Sequence, residues 1–298
     1  MTRRAVASAS VPASGLFAMA ERCLYADAPD RKLALTQTAQ RRWRLGRLVI
    51  ESAPGAPSGM ERAPGRPAVP ILVPPGQVPR RGMGTDEGRG ALLHALAHIE
   101  FNAINLAWDA VYRFRGFERA FYDDWISVAA EEAEHFCLLR AHLGRYGYGY
   151  GDFPAHNGLW QMAIDTAQDP LHRLALVPRV LEARGLDVTP EIIEKFRRVR
   201  DWDAVEILKR IQRDEEGHVA IGTRWFRALC AKRGIDPEVT FLELVARFSP
   251  RQIKAPFSVG ARARAGFGPV EMAGLRRLTE PQPTPDRSAP GDDPGGSG

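Results

Sequence analysis

The feature that most constrains the fold is a set of ionisable residues on the apolar faces of four helical stretches. Residues three or four apart share one helix face, so apolar residues at that spacing mark the face that is buried. In the last stretch this face reads Ala204, Leu208, Ile211, Glu215, His218 and Gly222. A carboxylate and an imidazole therefore interrupt an apolar stripe. The four faces together carry Glu100, Glu132 with His135, Glu182, and Glu215 with His218.

Burying these groups together requires cations. An ionised carboxylate moved alone into a low-dielectric interior costs on the order of tens of kcal/mol. Two of the stretches offer one Glu and two offer Glu-x-x-His, which is the ligand set of dimetal-carboxylate helix bundles. Six ligands with only two nitrogens suit iron or manganese better than structural zinc, which prefers a closed tetrahedral shell rich in Cys. We therefore predict two iron ions, with manganese as the alternative.

The spacing of the ligands predicts how the helices are connected. Glu100 and Glu132 are 32 residues apart, Glu182 and Glu215 are 33 apart, and 50 residues separate the two pairs. This pattern indicates an all-α four-helix bundle with one long crossover. We predict a helical arm and a Pro- and Gly-rich connection over 1–84, the dimetal bundle over 85–236, a helical extension packed on it over 237–278, and a disordered tail over 279–298.

Capping residues and helix breakers predict where each helix begins and ends. The third helix begins at Asp169-Pro170 and ends at Gly185, with a bend at Pro178. A separate short helix is predicted from Thr189-Pro190 to about Val199. The first helix is predicted from Thr85 or Asp86 to Arg113, the second from Glu118 or Phe121 to Gly144, and the fourth from Asp201 or Asp203 to Gly234.

The crossover opens with RYGYGYGDFPAHNGLWQMA, whose alternating glycines and tyrosines predict an irregular segment. Two of its residues, His156 and Trp160, are interpreted as covering the end of the bundle. The alternative is that they border a substrate entrance, since loops often carry functional side chains.

Six further polar residues lie close to the ligands in sequence. Four of them, Glu131, Glu134, Asp214 and Glu216, are predicted to face solvent or to form salt bridges, because they fall on other helix faces. The alternative is that Glu131 or Asp214 orients a ligand through a hydrogen bond. The same alternative stands for two residues of the first helix. The six are Glu131, Glu134, Asp214, Glu216, Asn105 and Asp109.

Composition and charge narrow the function classes. No run of about 18 apolar residues is present, and the first residues lack the apolar centre of a secretory signal, so a cytoplasmic protein without membrane spans is expected. Three widely spaced cysteines give no sign of disulfides. The net charge is +5, and the basic clusters at 41–44, 80–81 and 262–264 are interpreted as solvated surface, with RNA binding as the alternative.

Three motifs carry a resemblance to a known family. AAEEAEHF, YGYGDFPAHNGLW and RDEEGHVAIGTRWF resemble the ferritin-like family labelled domain of unknown function 455 (DUF455), over roughly Leu92 to Leu278. The resemblance implies a ferritin-like four-helix core, and it implies the same ligands at Glu100, Glu132, His135, Glu182, Glu215 and His218. More distantly, the ligand pattern is similar to that of the di-iron tRNA hydroxylase of the ferritin-like superfamily.

Three functions follow from these predictions. The preferred one is a di-iron oxygenase or oxidase that uses dioxygen, an organic substrate and an electron donor. The second is an iron-handling protein, either a ferroxidase or a storage protein. The third is a non-enzymatic module with a metal-stabilised core that binds RNA or protein. The predicted metal site permits the chemistry of the first two functions. The fold alone does not discriminate among the three functions.

Overall fold

The structure is a computed structural model that describes residues 14–52, 63–249 and 252–280. These residues are predominantly helical, with one pair of two-residue parallel strands, β1 (Ser14–Gly15) and β2 (Leu48–Val49), and a 3₁₀ turn at Pro75–Gln77. The predicted tail lies almost wholly outside the described residues. The helices are α1 (Leu16–Leu24), α2 (Pro29–Arg44), α3 (Asp86–Arg113), α4 (Arg119–Gly144), α5 (Gly158–Asp165), α6 (Pro170–Leu176), a π-helical segment (Val177–Glu182), α7 (Ala183–Arg198), α8 (Trp202–Arg233), α9 (Pro237–Phe248), α10 (Val259–Arg264) and α11 (Pro269–Thr279).

Four long helical segments pack around the predicted ligands. Helix α3 packs along α4, α7 packs along α8, and α4 packs against α8. The third segment runs without a break through α6, the π-helical segment and α7. Caps confirm the predicted ends of the first and last segments. Thr85 Oγ1 accepts the Gly88 amide, Asp201 accepts the Ala204 amide, and Gly234 ends α8 at a φ of 64°.

The predicted break after Gly185 is wrong. Helix α7 continues through Gly185 and Pro190 to Arg198. A proline inside a helix costs about 3 kcal/mol, and Pro190 itself stays exposed. The turns on either side of it bury Ala183, Leu186, Ile193 and Phe196. Burial of each large apolar side chain is worth about 1.5–3 kcal/mol, which outweighs the local preference.

The disruption predicted at Pro178 takes the form of a π-helical segment, in which the turns widen. Pro178 has no amide hydrogen, so it cannot continue the ladder of hydrogen bonds. Its ring packs on α8 at Gly222, where an added Cβ would lie 2.3 Å from Pro178 Cγ. Gly222 therefore lets the π-helical segment approach α8 closely, one turn beyond His218.

The crossover is only partly irregular, so the prediction for it is wrong after Asn157. The Gly- and Tyr-rich part forms turns, but α5 begins at Gly158. Helix α5 buries Trp160, Met162 and Ala163 and packs on α3 and the π-helical segment. The apolar spacing of LWQMA favours a helix once these neighbours are present.

The flanking helices pack on the four long segments. Helix α1 packs on α3, α2 on α4, α9 on α6 and α8, α10 on α7 and α8, and α11 on α9. The three cysteines are free thiols. Among the described residues, every helix is too short or too polar to cross a membrane. The division into domains and the RNA-binding alternative stay predictions. The interpretation of the cluster at 262–264 as solvated surface is wrong for Arg262, which is buried and pairs with Asp187.

Candidate metal centre

The predicted ligands come together between the four long helical segments. Glu100 comes from α3, Glu132 and His135 from α4, Glu182 from the end of the π-helical segment, and Glu215 and His218 from α8. The Glu-x-x-His spacing works because positions three apart share a helix face. Four of these residues, Glu100, Glu132, His135 and Glu215, each place one donor atom within 4.8 Å of the others. This group could hold a metal ion.

Both histidines turn Nδ1 towards the carboxylates. His135 Nδ1 lies 3.4 Å from Glu100 Oε2 and 3.5 Å from Glu132 Oε2. His218 Nδ1 lies 3.0 Å from Glu132 Oε1 and 3.6 Å from Glu215 Oε1. Each oxygen of Glu132 therefore contacts a different histidine, and this carboxylate joins the two halves of the site.

The outer nitrogens of the histidines are held by two acidic residues. His135 Nε2 donates to Asp214 Oδ2 at 2.9 Å, and His218 Nε2 donates to Glu131 Oε2 at 2.7 Å. Both acids are partly exposed, and Asp214 also lies 3.7 Å from Arg210, as the preferred prediction has it. Each also contacts a histidine, as the alternative has it for one of them. The arrangement is reciprocal, because the residue before each ligand Glu on one helix holds the histidine of the other. These bonds leave Nδ1 free for a metal.

Most of the predicted ligands have buried side-chain atoms without a hydrogen-bond partner, which is what a site that holds a cation requires. Glu132 and His135 are fully buried, and Glu100 and His218 are nearly so. Each unsatisfied buried polar group costs about 1–3 kcal/mol, and charged groups cost more. A metal ion would satisfy all of them. The atoms are Glu100 Oε2, both oxygens of Glu132, His135 Nδ1, Glu182 Oε2 and His218 Nδ1.

The pKa values show carboxylates crowded beyond what the histidines neutralise. Burial, reinforced by the charge of Glu132, raises the pKa of Glu100 to about 8. Burial and then the charges of Glu215 and Glu132 raise the pKa of Glu182 well above its ordinary value. Burial lowers the pKa of His135, but the close contacts and charges of Glu100 and Glu132 outweigh it and raise the pKa to about 11. A bound cation would relieve the crowding that raises the pKa of these carboxylates.

Comparison with known proteins gives the family. The family model described as "Protein of unknown function (DUF455)" matches residues 25–273. The chain belongs to the DUF455 family. A Haemophilus influenzae protein described as "Uncharacterized protein" is 51% identical over 213 residues, which cover 69% of this chain and 74% of that relative. No solved structure matches the chain significantly.

Two acidic neighbours in this DUF455 chain do lie away from the site, as predicted. Glu134 pairs with Arg210, and Glu216 pairs with Arg264 at 2.7 Å. Both pairs lie on the partly exposed outer faces of α4 and α8.

The remaining candidate residues are Asp109, Asn105, His156 and Trp160. Asp109 is buried and pairs with two arginines, and Asn105 is buried without a hydrogen bond to its side chain. The carbonyl of His156 lies 3.2 Å from His98 Nε2, and Trp160 of α5 is buried. A substrate entrance at these two crossover residues stays a prediction.

Glu131→Ala is expected to weaken metal binding about 10- to 100-fold, because His218 loses the hydrogen bond that orients its ring. Glu216→Ala is the matched control. Glu216 is also the immediate neighbour of a predicted ligand, Glu215, but it pairs with Arg264 and not with a histidine. Calorimetric titration with Mn²⁺ measures both affinities. An unchanged affinity in Glu131→Ala would contradict the orienting role.

Proposed function

We propose that this chain is a ferritin-like dimetal-carboxylate protein that holds two iron ions and oxidises an organic substrate with dioxygen. One observation carries the proposal. Two buried histidines present Nδ1 to a shared carboxylate, and each is fixed from outside by an acid of the opposite helix. Three further carboxylates complete an oxygen-rich set that suits iron, with manganese as the alternative.

The chain's own residues would divide the work as follows. Glu100 and His135 would help to hold one ion and Glu182 and His218 the other, and Glu132 and Glu215 lie close to ligands of both. When bound, two irons supply the reduction of dioxygen, with two electrons from an external donor if one oxygen atom enters the substrate and the other leaves as water. Because Glu132 and His135 are fully buried, the protein excludes water from the inner side of the site.

Metal content and reactivity with oxygen test the proposal. The full chain is purified without added metal, its metal content is measured by mass spectrometry, and it is then loaded anaerobically with Fe²⁺. About two irons per chain are expected. Exposure to air is expected to change the near-ultraviolet and visible absorbance, because iron is oxidised. Absence of bound metal in both preparations would overturn the proposal, and bound iron that is inert to air would overturn the oxidative part.

A second candidate, iron handling, is favoured by the exposure of the outer acids. The side chains of Glu131 and Asp214 are 42% and 29% exposed, whereas the histidines that they contact are buried. Acidic groups thus reach from solvent to the ligands and offer a short route for an ion. Storage requires a hollow shell, so mass measurement by light scattering on iron-loaded protein separates the two functions.

A further inference from the structure

The π-helical segment links the predicted metal centre to the C-terminal helices α9 and α11. It carries the ligand Glu182 on one side and Arg179 on another. In an α-helix, residues three apart share a face. The wider π turn rotates them apart, and such turns occur frequently at functional sites. The register of this segment therefore decides where the carboxylate of Glu182 lies.

Arg179 is fully buried and is held from several elements at once. Its Nη2 donates to Glu271 Oε1 of α11 at 2.5 Å, and its Nε donates to Thr223 Oγ1 of α8 at 3.2 Å. Its guanidinium lies 4.1–4.8 Å from the ring centres of Phe226, Phe241 and Phe267. A planar guanidinium packed against aromatic rings and paired with a carboxylate has a single favourable orientation.

Glu271 is itself fixed. It is fully buried, and its Oε2 accepts the Gly268 amide at 2.9 Å, at the start of α11. A second cation, Arg227 Nη2, lies 3.9 Å from the same oxygen. The pair of Arg179 and Glu271 thus spans 92 residues of sequence and anchors the π-helical segment to a rigid helix start.

We propose that Arg179 and Glu271 are positioning residues that hold the π-helical register and thereby place Glu182 against the metal centre. This inference rests on the proposed dimetal site. Glu182 contributes no atom to the compact four-residue group, so it would serve the second ion, together with His218. Loss of the anchor should affect that ion and spare the one held by Glu100 and His135.

Glu271→Gln tests the proposal, because it removes the charge and keeps the size. Co²⁺ titration of the full chain, followed by visible absorption, measures the two affinities and the ligand geometry. Glu271→Gln is expected to bind the second ion about tenfold more weakly or worse, with a changed Co²⁺ spectrum. Glu271→Asp keeps the charge and should restore part of the affinity. Thr223→Val, a milder change at the other contact of Arg179, should cause a smaller loss of the same kind.

The matched control is Asp187→Asn. Asp187 on α7 forms an equally buried pair with Arg262 of α10 at 2.7 Å, but it lies outside the π-helical segment. Wild-type affinities and spectrum in Asp187→Asn support the proposal. Two ions bound normally by Glu271→Gln and Thr223→Val would overturn it, as would equal losses in Asp187→Asn. A wild-type protein that binds no Co²⁺ would overturn the proposed function itself. If Glu271→Gln does not fold, the result for Thr223→Val decides.

Discussion

Glu132→Ala is expected to abolish binding of both metal ions. This carboxylate contacts both ligand histidines, with Oε2 3.5 Å from His135 Nδ1 and Oε1 3.0 Å from His218 Nδ1. Both oxygens are buried without a hydrogen bond, and a cation placed between them and the histidines would satisfy both. Loss of affinity should exceed the 10- to 100-fold typical of an outer hydrogen-bond partner, because a shared ligand is removed. Equilibrium dialysis against Mn²⁺ or Fe²⁺ measures the loss for each ion.

Glu134→Ala is the control for this experiment. Glu134 lies two residues away on α4, its side chain is 56% exposed, and it pairs with Arg210. Metal content should be that of the wild type, since surface ion pairs contribute only about 0–1 kcal/mol. If Glu132→Ala kept two ions while Glu134→Ala lost one, the ligand face of α4 would be assigned wrongly.

The buried face that carries the predicted ligands was predictable because helical periodicity and polar exceptions lie in the same stretch of sequence. Glu215 and His218 continue a stripe of apolar residues that the structure buries, so the position of each side chain follows from the 3.6-residue repeat. The helix ends were predictable for a similar reason. Caps such as Thr85 and Asp201 act on amides only three residues away.

The outer acids were not predictable in the same way. Whether Glu131 faces solvent or His218 depends on how α4 and α8 are rotated about their axes, and packing of the whole interface sets that rotation. A local signal was present, however. The Glu of each Glu-x-x-His pair follows another acid, in Glu131-Glu132 and in Asp214-Glu215, and antiparallel packing makes that repetition reciprocal.

The π-helical segment shows where local reasoning stops. Pro178 indicates a disruption, but a kink and a π turn both satisfy a missing amide. Contacts with Gly222 on α8 and between Arg179 and Glu271 favour the π turn, and the second pair is 92 residues apart. Pro190 makes the converse point, because tertiary packing keeps α7 helical where local preference predicts a break.

Asp109→Ala is expected to lower the free energy of unfolding by about 3–5 kcal/mol, because two buried guanidinium groups lose their shared carboxylate. Asp109 is fully buried. Its Oδ1 lies 2.8 Å from Arg113 Nη2 of α3, and its Oδ2 lies 2.6 Å from Arg173 Nη1 of α6. The carboxylate therefore joins the first long helix to the start of the third. Urea denaturation in the presence of a chelator measures the change without any contribution from bound metal.

Asp86→Ala controls for the loss of an acid from the same helix. Asp86 pairs with Arg89 at 3.1 Å, but its side chain is 71% exposed, so a change within about 0.5 kcal/mol is expected.

The same two variants, Asp109→Ala and Asp86→Ala, also decide whether Asp109 belongs to the metal centre. If it only joins helices, folded Asp109→Ala at low temperature should bind metal with wild-type stoichiometry. Unchanged stability together with lost metal would instead assign Asp109 to the orientation of Glu100, because both lie on α3.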